Sequence, residues 1–187
     1  EKAMERAEQL ESPTEEERLE WKWLPEGRKL AATAMNRRLD VAGEVAKVEE
    51  AARPYLLKGL VDVLVENLRL PKAEHVFQAN ERVLEVLMQL KQGSMEELAE
   101  RVRYVCTQFV QFYPQQQREA FEQVKATVQS QLEEAVRQQT GVQGPVQLGG
   151  IEARPEFQSQ WLQVLGQLEE PYEQHLREFR QQIRNLP

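Results

Sequence analysis

Aspartate is nearly missing from this chain: Asp40 and Asp62 stand alone among 31 acidic residues. Histidine occurs twice and cysteine once. Each shortage excludes something. A single cysteine, Cys106, cannot form an intramolecular disulfide, which suits a reducing compartment. Phosphoryl transfer and calcium loops lean on aspartate ligands, so both readings are weak. Helical di-metal centres use Glu-x-x-His pairs, yet Lys72 stands three before His75 and Tyr172 three before His175. His-Glu-x-x-His is missing as well. Neither a membrane-spanning apolar run nor a signal-peptide pattern is read, and a cytoplasmic location is the expectation.

Basic charge is also in short supply. The net charge is −7, with 24 Lys and Arg. Nonspecific nucleic-acid binding needs a basic surface against phosphates, so this balance argues against it. The local group Arg28, Lys29, Arg37 and Arg38 keeps nucleic-acid association as a weak alternative.

What the chain has is helix-forming pattern. Its 187 residues suffice to bury a core of roughly two-thirds of the unfolded surface. Its carboxylates are almost all Glu, which favours helix interiors, whereas Asp favours caps and turns. Residues 1–11 read as a charged tail or frayed helix. Ser12-Pro13-Thr14-Glu15 reads as a capping box with Ser12 at the N-cap, and Pro25 and Gly27 as a kink or restart. Asp40 caps a helix over about 41–52. Pro54 opens the most apolar segment, Tyr55 to Leu70, whose stripe Lys58, Asp62 and Glu66 offers a Lys58–Asp62 pair. Pro71 ends it.

A further helix covers about 73–91, with Val76, Val83, Leu87 and Leu90 on one face and Gly93 beyond its end. Ser94 to Glu97 reads as a second capping box. Leu98, Val102, Val105, Phe109 and Phe112 then form a seam, broken or kinked at Pro114. The pattern resumes at Phe121, Val124, Val128, Leu132 and Val136. Glycines 141, 144, 149 and 150 mark a loop over 141–154, within which Val142, Val146, Leu148 and Ile151 suggest a short strand. Pro155 starts the last helix. Its stripe is Phe157, Trp161, Leu165, Leu168, Tyr172, Leu176, Phe179, Ile183 and Leu186, with Pro171 as a kink.

The expected fold is all-α with about six helices. Residues 12–92 form an N-terminal cluster, and 94–187 form a long antiparallel hairpin, in one cooperative domain. A two-helix hairpin buries little alone, so its seams must meet the N-terminal helices or a second copy; a homodimer is expected.

The candidates for chemistry each have a plainer explanation. Arg101 and Arg103 lie near Cys106 in sequence and would lower its pKa, but the thiol flanks an apolar stripe and reads as core. The adjacent Glu pairs, Glu169-Glu170 among them, point about 100° apart and read as solvated faces. The Gly loop lacks Gly-Lys-Ser/Thr and reads as a connector. Of Trp21 and Trp23, one joins the core while the other is left for a contact. Trp21, Trp23, Trp161, Arg177, Arg180 and Arg184 make up the candidate interaction surface; the three arginines share one helical face suited to an acidic partner. No catalytic residue, metal ligand or cofactor is assigned. The leading expectation is a non-enzymatic protein-interaction or scaffold protein. The alternative is an enzyme or small-ligand binder whose site is assembled from distant residues.

Overall fold

A computed structural model describes residues 13–141 and 149–187. Expectations for residues 1–11, the N-cap role of Ser12, and the strand positions Val142, Val146 and Leu148 lie outside the described residues. Within them the fold is all-α: α1 (Glu15–Asn36), α2 (Val41–Ala46), α3 (Arg53–Glu66), α4 (Glu74–Leu90), α5 (Glu96–Thr140), a 3-10 turn (Ile151–Ala153) and α6 (Pro155–Asn185).

The start of α1 is a capping box two residues along from the expected one. The Thr14 hydroxyl accepts from Glu17 N at 3.2 Å, and Thr14 N donates to Glu17 Oε2 at 2.8 Å. Pro25 does not restart the helix, which runs unbroken for 22 residues. Packing outweighs the local cost of roughly 3 kcal/mol. Gly27, expected to mark the kink, is buried where α1 crosses α3. A Cβ there would stand 2.0 Å from the Leu56 carbonyl oxygen, and one on Gly59 would stand 2.2 Å from that of Leu24. Leu24 meets Gly59 and Gly27 meets Leu56, so the two helices run antiparallel with backbones in near contact. Ala31 and Ala34, fully buried, continue this small-residue face.

Asp40 caps α2 as expected, its Oδ1 accepting from Gly43 N at 2.9 Å. The helix stops at Ala46 rather than near 52, and the Arg53 side chain collects the freed carbonyls of Ala46 and Val48. α3 is the centre of the core: Leu56, Leu60, Leu64 and Val65 are buried. It ends at Glu66, before Pro71, because Asn80 claims the following backbone. The Asn80 side chain accepts from Arg69 N at 3.1 Å and donates to Arg69 O at 2.7 Å. The apolar run continues as a buried irregular stretch through Leu68, Leu70 and Pro71. Lys58 and Asp62 do not pair with each other: Lys58 reaches Glu20 at 2.6 Å, and Asp62 accepts from Arg184 at 3.2 Å.

The second capping box does not form. Met95, fully buried, is the N-cap of α5, and the Ser94 hydroxyl turns back to donate to Lys91 O. α5 passes Pro114 without ending and spans 45 residues, about 67 Å. Its seam is Leu98, Val102, Cys106, Phe109 and Tyr113. Phe112, assigned to the seam from sequence, is 44% exposed. A strict 4-3-4-3 spacing tracks 3.5 residues per turn, whereas a straight helix at 3.6 drifts to gaps of 4, 4, 3 and 4.

α6 runs antiparallel to α5 and passes Pro171 unbroken. All nine positions of its stripe are buried or half-buried within this one chain. Leu176, Phe179 and Ile183 share a single core with α1–α4. Farther out, Val124, Val128, Ile151 and Phe157, flanked by Phe121, Leu132, Trp161 and Val164, form a separate small cluster. No residue of α1–α4 belongs to it, so the outer half of the hairpin is held by its own side chains.

Candidate functional site

The groove begins where the chain leaves α3. Its first wall is the segment from Pro71 through Phe77, at the start of α4. Phe109, Val110 and Tyr113 on α5 form the second, with Leu165 and Glu169 on α6 closing the third. The space between them is about 520 Å³, within the size range of ligand sites. The walls are largely apolar. Three of the polar groups, Lys72, Tyr113 and Glu169, meet at one corner.

The hairpin supplies two of the three. Tyr113 stacks on Phe109 with ring centroids 4.4 Å apart, and Phe109 meets Tyr172 edge-on at 5.1 Å. The ring positions fix the phenol, whose hydroxyl donates to Glu169 Oε1 at 2.6 Å. Lys72 Nζ approaches the same oxygen at 2.7 Å. Burial pushes the Glu169 carboxyl upward, but hydrogen bonds from Lys72 and Tyr113 overcome it and hold the pKa below its ordinary value. Burial, together with the neighbouring carboxylate, raises the Tyr113 phenol well above its usual range. At neutral pH the corner therefore holds a carboxylate and a neutral phenol, with the Lys72 side chain against the carboxylate. Pro114, on the same wall, has no N–H, so the carbonyl of Val110 lacks its α-helical donor.

None of the six candidate interaction residues lines this groove. Trp21 is 66% exposed, while Trp23 packs half-buried against the core. Trp161 lies in the outer hairpin cluster, edge-on to Phe121 at 5.2 Å. The three arginines are not a free cationic face. Arg177 pairs with Glu170 at 2.5 Å. Arg180 donates to the carbonyls of Val65, at 3.2 Å, and Leu68, at 2.5 Å, satisfying the C-terminal end of α3. Arg184 holds Asp62 and Glu66. The latter two fasten the hairpin to the cluster.

The remaining candidates settle elsewhere. Cys106 is buried, accepts from Asn80 Nδ2 at 3.5 Å, and is pushed by burial up to about 11. Arg103 is taken by Glu81 and Glu100, and Arg101 lies over the Phe179 ring. His75 and His175 are exposed. Arg28, Arg37 and Arg38 are exposed, and Lys29 pairs with Glu26. Among the described residues no three His, Cys, Asp or Glu gather as metal ligands would, and no helix is long and apolar enough to cross a membrane.

Glu169 is the residue that sequence reasoning placed on a solvated face. Its partner in the pair, Glu170, is indeed exposed. Glu169 differs because it follows Leu168 directly and precedes Tyr172 by three, at the edge of the apolar stripe. No curated protein and no solved structure matches the chain. Residues 42–185, which carry every residue of the groove, match the model of a family of unknown function (DUF6657), and the chain belongs to that family.

Proposed function

We propose that this protein acts by binding a partner, as a non-enzymatic interaction module, and that the groove between α4, α5 and α6 is its recognition site. One observation carries this reading: a largely apolar cleft in which Lys72, Tyr113 and Glu169 converge on one another. Such a cleft orients a bound group without supplying chemistry, because Glu169, Lys72 and Tyr113 already satisfy one another. The outer half of the hairpin, with its own small core, suits a projecting arm in the same module. The α6 seam is covered within one chain and does not itself require a second copy. A buried thiol fits a reducing, cytoplasmic setting.

The test is a titration with small aromatic probes followed by heteronuclear NMR. Saturable shifts centred on Phe77, Val110 and Leu165, abolished by Val110→Glu, are expected. Shifts scattered over the surface, or unaffected by that substitution, would overturn the reading.

A further inference from the structure

The face of α1 turned away from α3 carries a seam of its own. Arg18, Trp21, Pro25, Arg28 and Ala32 recur at gaps of 3, 4, 3 and 4, and all five are exposed. The buried positions of the same helix, Gly27, Ala31 and Ala34, lie on its other side, against the core. Gaps of 3 and 4 are the spacing by which one helix packs along another. Trp21, inside the seam, is 66% exposed. A single exposed apolar residue is ordinary, but this one sits among cations on a regular helical stripe.

The charge of the stripe is one-sided. Arg18 and Arg28 lie in the seam, Lys22 and Lys29 flank it four residues after a seam position, and no carboxylate occupies a seam position. Among the described residues the side chains of Arg18 and Arg28 make no hydrogen bond or ion pair. Lys22 rests over the Trp23 ring, 5.0 Å from its centroid. Only Lys29 meets a carboxylate, Glu26 at 2.7 Å, and that pair is exposed and weak. Elsewhere Arg82, Arg103, Arg137, Arg177, Arg180 and Arg184 all hold carboxylates. With 31 acidic residues against 24 basic ones, carboxylates are the abundant partner, and this face lacks them.

Charge complementarity calls for an anionic occupant, and the shape of the face narrows the choice. The seam is one helix wide and, from Arg18 to Ala32, about 21 Å long. Exposed Glu15 and Glu26 border it on one side and Glu17 on the other. A duplex or an anionic bilayer is broader than a helix and would set its phosphates against those carboxylates. A single helix, about 10–12 Å across, fits between them. A second copy meeting the same face would bring like charges together. We infer that the outer face of α1 docks an acidic amphipathic helix of a partner protein, whose apolar residues meet Trp21 and Pro25 and whose carboxylates meet Arg18, Lys22, Arg28 and Lys29. Flanking charges select the partner and the aromatic anchors it. This surface is independent of the groove.

The experiment titrates the full chain into a labelled three-heptad helical peptide with Leu along its seam and Glu beside it, read by fluorescence anisotropy. The comparison probes are the same peptide with Lys for Glu, poly-glutamate, duplex DNA and phosphatidylserine vesicles. The Glu peptide is expected to bind, and Trp21→Ala to weaken it by about tenfold or more. Arg18→Glu combined with Arg28→Glu should remove binding. These positions are exposed, so melts of the variants should match wild type. Val110→Glu, in the groove, should change nothing; a loss there would move binding to the groove and overturn the inference. So would no binding of the Glu peptide, equal binding of the Lys peptide, or an unaffected Trp21→Ala. Equal competition by poly-glutamate would leave charge alone and no helix. DNA or vesicles binding more tightly than the Glu peptide, through the same arginines, would replace the helix with a phosphate surface. A dimer in light scattering that Trp21→Ala abolishes would replace it with a second copy.

Discussion

Gly27 and Gly59 sit on opposite sides of one helix crossing, each against a backbone carbonyl of the other's helix. The oxygens of Leu56 and Leu24 occupy the positions where their side chains would begin. Neither glycine has a positive φ, so close approach, and not backbone conformation, requires them. Gly27→Ala or Gly59→Ala must push α1 away from α3. A loss of about 3 kcal/mol is expected, or about 6–12 °C in Tm for a chain of this length. Gly166→Ala is the control: nothing lies near its Cβ position, and it should gain about 0.5–1 kcal/mol. Thermal melts of the three variants check this; equal effects in all three would mean the crossing is loose.

Gly27 also shows how far the sequence was legible. Next to Pro25 it reads as a breaker, because local propensity is all a linear pattern displays. Its true role depends on Gly59, 32 positions away. The α6 stripe was readable in full because every position but the terminal Leu186 lies on one helix and faces one way. The groove was not. Its corner joins Lys72, Tyr113 and Glu169 from three separate elements, and Tyr113 lay outside the seam as drawn from a 3.5-residue repeat.

Asn80 offers a second test of long-range pairing. It is the one buried polar side chain among the described core residues, and it closes both backbone bonds of Arg69. Asn80→Ala would leave those groups unpaired, costing about 2–3 kcal/mol. Hydrogen exchange at the Arg69 amide should accelerate beyond what global destabilisation explains. Unchanged protection there would show that another group takes over.

Cys106 should be inert while the protein is folded. Its thiol is buried and raised to about 11, so thiolate is scarce at neutral pH. A disulfide reagent at pH 7.5 is expected to report no rapid reaction in buffer and one equivalent in denaturant. Rapid native labelling would show that the α4–α5 interface opens easily.

Glu169 gives a pH prediction with a definite sign. Its folded pKa is held below the ordinary value despite burial, because Lys72 and Tyr113 favour the charged form. A depressed carboxylate stabilises the fold above its unfolded pKa, about 4.3, and that contribution disappears as pH falls through the folded value. The Tm difference between wild type and Glu169→Gln should therefore be largest from pH 6 to 8 and shrink below about pH 4. A difference that grew on acidification would mean the carboxyl is protonated in the folded state.

The hairpin should not melt as one unit with the cluster. Its inner half shares the main core through Phe109, Leu176 and Ile183, whereas its outer half relies on Val124, Val128, Ile151 and Phe157. Stability follows buried apolar contact, so the outer half belongs at the low end of the local scale. Phe157→Ala removes the aromatic that meets Phe121 edge-on at 5.2 Å, a loss of about 3 kcal/mol or more where a core cannot collapse. Native-state hydrogen exchange should then show amides near Val128 losing protection while those of Leu60 and Leu64 keep theirs. Equal loss at both places would show the long helix α5 transmitting the damage, making the arm and the cluster a single cooperative structure.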